Sequence, residues 1–82
     1  MNSLVETQKR QFFSDCRKHK GTQAKVAQDN KISTVYVRMI ENGTFTPGRD
    51  LMFQLSNYFG HPAEKLFPDY FERLLSHAKS DN

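Results

Sequence analysis

Between positions 23 and 49 the chain collects the side chains best suited to recognition chemistry: Gln23, Lys25, Thr34, Val35, Tyr36, Arg38, Met39, Asn42, Thr44, Thr46 and Arg49. Arg38 carries a forked cationic donor, which matches the paired O6 and N7 acceptors of guanine or grips a phosphate. Thr34 and Val35 present methyl groups of the kind that pack on a thymine methyl, and the Thr34 hydroxyl can bond a base or a phosphate. Tyr36 offers a phosphate-seeking hydroxyl or simply a ring that covers a helix flank. Met39 offers an apolar contact or mere exposure. Arg49 and Lys25 add charge that suits a phosphate track.

Other chemistries lack their constellations. His19, His61 and His77 with Cys16 have no metal-ligand spacing, so no metal or other cofactor is expected. No nucleophile, base and orienting acid stand in a recognisable order, and so small a chain has little room for a pocket. Neither an enzyme nor a small-molecule ligand is expected. Cys16 falls on an apolar helix face and reads as core; as the single cysteine it excludes an internal disulfide.

The elements that must hold these residues follow from apolar spacing. The 82 residues suffice for one domain over 1–82, and nothing reads as a strand. A first helix is expected over 3–18, with Val5, Phe12, Phe13 and Cys16 on one face and Gly21 ending it. Thr22 caps a short second helix that turns Val26 and Ala27 inward, and Asn30 and Lys31 break it. Ser33 caps a third helix with Val37 and Ile40 facing the core and Gly43 closing its end.

Thr46 and Pro47 read as the N-cap and first position of a fourth helix carrying Met52, Leu55 and Phe59, ended by Gly60. Pro62 opens a fifth. A sixth, over about 68–79, aligns Phe67, Tyr70, Phe71, Leu74 and Ala78 in one stripe. The fold expected is an all-α bundle of five to six short helices.

Charge agrees with a polyanion partner. The net charge is +3, and Met1 to Arg49 holds nine Lys or Arg against four Asp or Glu, whereas the rest holds three against five. No apolar stretch approaches the roughly 20 residues of a membrane span, and no signal-peptide pattern is seen, so a cytoplasmic protein is expected.

Positions 23–42 have the form of a helix-turn-helix: small Ala27 where two helices cross, Ile32 in the turn, and Val37 and Ile40 as the lock. With Thr22-Gln23, Ile32-Ser33, Ile40-Glu41, Gly43, Pro47, Leu55, Phe59-Gly60 and Leu66-Phe67, the segment 22–67 resembles the Cro and cI-type family of helix-turn-helix regulators without insertion or deletion. That covers more than half of the chain. Lys31 stands where the family usually has Gly, Asn30 where it has an apolar residue, and Arg49 where it often has an aliphatic one. Asn tolerates a left-handed backbone, which permits the turn with a shifted cap.

The resemblance implies a lambda-repressor-like DNA-binding domain with an added C-terminal helix. Gln23 would touch a phosphate or brace a side chain of the reading helix. Thr34, Val35 and Arg38 would face bases, and Asn42, Thr44 and Thr46 would meet phosphates, with helix capping as another role for Asn42 and Thr46. It also implies a structural ion pair between Glu41 and Arg17. The function expected is sequence-specific binding of double-stranded DNA by a homodimer on a palindromic operator, with repression as its first output. A restriction-modification controller and a phage or mobile-element repressor both fit. The dimer interface is expected on Phe67, Tyr70, Phe71 and Leu74. A protein-interaction module on the same fold, such as an antitoxin or adaptor, is the alternative.

Overall fold

The computed structural model describes residues 8–80, with side chains as far as Ser76, so Val5 and the side chains of His77 and Ala78 lie outside what is described. Six helices follow one another: α1 Gln11–Lys20, α2 Gln23–Asn30, α3 Thr34–Asn42, α4 Arg49–Phe59, α5 Ala63–Leu66 and α6 Pro68–Ser80. Among the described residues there is no strand. The all-α expectation therefore holds, and no described helix is long and apolar enough to cross a membrane.

The expected stop signals operate as read. Thr22 and Ser33 are N-caps whose side chains accept from the Lys25 and Tyr36 amides at 3.1 Å, removing two orphan donors at the helix starts. Gly43 and Gly60 close α3 and α4 in the left-handed region. Between α2 and α3 the left-handed residue is Lys31 itself, at φ 61, so no shifted cap is needed. Asn30 remains helical and buried; its amide donates to the Val26 carbonyl at 2.9 Å and its side-chain oxygen accepts from Gln54.

A single apolar core joins α1 to α6. Phe13, Val26, Val37, Ile40, Leu55, Leu66 and Phe67 are fully buried, with Ala27, Met52 and Phe59 nearly so. Phe13 sits at its centre, edge-on to Phe59 with centroids 5.2 Å apart and tilted against Phe67 at 5.9 Å. Phe12 and Cys16 are half-buried against it.

Three sequence expectations are corrected. The first helix, expected over 3–18, runs from Gln11 to Lys20: positions 8–10 are not helical, and the expected start at position 3 lies outside the described residues. Arg10 is extended, at φ −81 and ψ 92, because its amide donates to the Glu41 carbonyl at the end of α3 instead of joining a helix. The fourth helix is capped by Gly48, not Thr46, whose hydroxyl instead accepts from Arg10 at 2.7 Å. Phe67 is core, not part of an exposed self-association face: the α5–α6 corner turns its ring inward and leaves it 0% exposed.

Two backbone positions make opposite demands on side-chain size. Gly43 lies at φ 81, and a Cβ there would run into the Gln8 carbonyl oxygen, so the extended segment before α1 passes against a bare Cα. Lys31 holds a left-handed conformation that disfavours a side chain. Lys31→Gly should therefore raise unfolding free energy by roughly 0.5–1 kcal/mol, strain relief exceeding the lost chain stiffness. Gly43→Ala should lower it by more than about 1 kcal/mol. Urea titration of both variants checks this, and two shifts of the same sign would refute it.

Candidate nucleic-acid interface

The second and third helices cross with Val26, Ala27, Val37 and Ile40 between them and the turn at 31–33 on one side. Ile32 is half-buried against this core, and its amide donates to the Ala27 carbonyl at 3.0 Å. At roughly 100° per residue, Val37, Ile40 and Glu41 occupy the inner side of α3. Thr34, Val35, Arg38, Met39 and Asn42 then fall within an arc of roughly 140° on the outer side.

Exposure matches that division. Val35 is 52% and Met39 37% exposed, Arg38 and Asn42 are exposed, and Thr34 is half-buried. Among the described residues neither Arg38 nor Arg49, at the start of α4, has an ion-pair partner. Thr44 is exposed beyond the helix end, its hydroxyl donating to the Met39 carbonyl at 3.2 Å.

Four expected site residues are already engaged within the protein. The Tyr36 ring lies 4.7 Å from that of Phe45 and covers the flank of α3. Lys25 pairs with Asp29 at 2.9 Å. Asp29 also accepts from the Tyr58 hydroxyl at 2.6 Å, and these two bonds hold its carboxyl below the usual range. Tyr58 is pushed up to about 12 by burial and by that hydrogen bond. Thr46 is tied to Arg10. Gln23, the fourth, braces α3: its amide donates to Glu41 Oε1 at 3.3 Å.

Glu41 is the electrostatic centre of this region. It is 2% exposed, and its carboxylate accepts from Arg17 Nε and Nη2 at 2.9 Å each and from Ser14 Oγ at 2.7 Å. The expected Arg17–Glu41 pair is thus present and bidentate. Burial alone would raise the Glu41 pKa, but the bonds from Arg17, Ser14 and Gln23 outweigh it and hold the group at about 2. The pair balances the one negative charge of α3 on its inner side and fixes α3 against α1, while Gln23 ties it to α2.

Sequence reasoning misses three contributors: Ser14, Asp69 and Arg10. Nothing local points to Asp69, 59 positions from Arg10, whereas Arg10 carries the signal that would have found the other two, itself and Ser14. With Phe13, Ser14 and Arg17 it follows i, i+3, i+4, i+7, one helical face that mixes core with polar groups. Among the described residues no group of three His, Cys, Asp or Glu stands as metal ligands.

No protein-family model, curated protein or solved structure matches this chain.

The Glu41 network makes stability acid-sensitive. Its folded pKa of about 2 lies below the ordinary 4.5, so its contribution is complete above about pH 4.5 and is lost as pH falls towards 2. The shift corresponds to a contribution on the order of 3 kcal/mol. Glu41→Gln should lose most of that at pH 7 and show a much flatter stability profile between pH 4.5 and 2. Chemical denaturation across that window checks it, and parallel profiles for the two proteins would contradict it.

Proposed function

We propose that this chain is a sequence-specific binder of double-stranded DNA with a lambda-repressor-like arrangement, in which α3 enters the major groove. The observation that carries the reading is the outer arc of α3. It bears a guanidinium with no ion-pair partner among the described residues, two exposed apolar side chains and two short polar ones, on a helix whose other side is locked by a buried ion pair. A major groove about 12 Å wide admits one such helix. Arg49 and Thr44 flank the arc where phosphates would pass, and Gln23 serves the reading by positioning Glu41 on α3.

Within this reading, Arg38 pairs with guanine, and Val35 with the Thr34 methyl meets neighbouring thymines. Selection from randomised duplex DNA should enrich one consensus, and affinity should fall steeply with salt as counterions are released. Arg38→Ala should relax preference at one base position, at roughly 1 to 3 kcal/mol for a lost bidentate contact. Arg49→Ala should weaken every sequence alike and flatten the salt slope. Competition against operators substituted one base pair at a time separates the two, and a uniform loss from Arg38→Ala would reassign it to a phosphate. Failure to enrich any consensus would favour a protein-interaction module.

A two-fold operator needs a second copy, and α6 has the surface for it. Leu74 is 47% and Leu75 66% exposed, next to half-buried Tyr70 and Phe71. Leu75, not part of the expected stripe, is exposed beside Leu74, whereas Phe67 is in the core. Binding of the dimer across successive major grooves, about 34 Å apart, would occlude a promoter. The Leu74→Glu, Leu75→Glu double variant should stay folded and sediment as a monomer. A folded variant that remains dimeric would place the interface elsewhere.

A further inference from the structure

Arg10 carries five guanidinium N–H groups, and each has an acceptor. Nε and Nη2 donate to the two carboxylate oxygens of Asp69 at 2.9 Å. Nη1 donates to the carbonyls of Ile40 at 2.7 Å and Phe45 at 2.9 Å, and Nη2 also donates to Thr46 Oγ1 at 2.7 Å. The group lies 5.1 Å from the Phe67 ring centroid, and the residue is 4% exposed. With no donor free, Arg10 is not a ligand-binding cation. It ties the end of α3 and the 43–48 loop to the start of α6.

These partners are unequal. Ile40, Phe45 and Thr46 offer neutral acceptors, whereas Asp69 alone supplies charge, and does so through the stronger bidentate geometry. Removing that counter-charge would leave a buried guanidinium uncompensated, which weakens its hold in this place even though the Asp69 side chain is itself partly exposed. The loop that carries Thr44 and leads to Arg49 is therefore held indirectly by a carboxylate on the C-terminal helix.

We propose that Arg10 is a positioning residue that transmits the docking of α6, through Asp69, to the loop between α3 and α4, and so sets the protein's affinity for DNA. The consequence for DNA rests on the DNA-binding reading; the tie between Asp69 and the loop does not. The direction of the effect is diagnostic. Asp69→Asn removes a negative charge, which by itself tightens binding to a polyanion. Positioning through Arg10 demands the opposite, a weaker complex.

Arg10→Ala would remove the tie but endangers folding, so the decisive variant is Asp69→Asn. Glu72→Gln serves as the charge control, because Glu72 is exposed and takes none of the five Arg10 bonds. Circular dichroism fixes a temperature at which all three proteins are folded. Amide exchange is then read at Gly43 and Thr44, whose N–H groups bond Ile40 and Met39, and affinity is read on the duplex selected by the wild type. Asp69→Asn should speed exchange at these two amides and weaken binding by roughly 5- to 100-fold, the usual range for coupling between sites. Glu72→Gln should leave exchange unchanged and bind as well as wild type or slightly better. Unchanged exchange at Gly43 and Thr44 in Asp69→Asn overturns the proposal, as does faster exchange with undiminished affinity. If the wild type selects no duplex, the DNA reading fails, and the exchange result alone decides whether Asp69 holds the loop.

Discussion

A carboxylate taken out of water loses several kcal/mol of hydration, and it stays charged in a protein only when positive charge and donors replace what water supplied. Glu41 meets that condition. Arg17 grips it with two hydrogen bonds from α1, Ser14 adds a third from the same helix, and Gln23 reaches it from the start of α2. Its backbone carbonyl also accepts from the Arg10 amide. Two helices and the segment before α1 thus converge on one residue near the end of α3. The apolar core fixes which side of α3 faces inward, and the Glu41 network fixes its direction and depth.

Arg10 complements Glu41 with the opposite charge. Glu41 anchors the helix, and Arg10 anchors the loop after it, through the Phe45 carbonyl and the Thr46 hydroxyl. Both are charged, both are almost wholly buried, and both are saturated with partners. Between them the inward side of α3 and its trailing loop are fully committed. Among the described residues, the side chains of the outward arc (Thr34, Val35, Arg38, Met39 and Asn42) make no hydrogen bond or ion pair within the protein, and all but Thr34 are exposed. Rigid support behind a chemically free face is what recognition by a helix requires, since a loosely held helix would lose affinity in ordering itself on binding.

Most of the unit formed by α2, its turn and α3 is legible in the sequence because its signals are local. Thr22 and Ser33 cap the helices they precede, Gly43 and Gly60 end the helices they follow, and Val26, Ala27, Val37 and Ile40 keep helical spacing. The Arg17–Glu41 pair comes from the family resemblance rather than from spacing. The hidden features depend on partners far along the chain. Residues before Gln11 suit a helix locally, but the Arg10 amide is taken by Glu41. Thr46 is a good cap by type, yet its hydroxyl belongs to an arginine 36 positions away. Phe67 lies on the stripe of α6 by periodicity, but the corner at Pro68 turns it into the core. A sequence pattern reports which faces are apolar, not which long-range polar bond claims a backbone group.

The central claim is that the outward arc of α3 is the surface that meets DNA. Its most direct measurement is an amide-resolved NMR titration of the full chain with a short duplex carrying the selected consensus, beside a scrambled duplex of equal length. The account predicts saturable, consensus-dependent shifts at Thr34, Val35, Arg38, Met39 and Asn42, with the α5 amides unmoved. Shifts confined to α6, or identical shifts with both duplexes that leave α3 untouched, would contradict it.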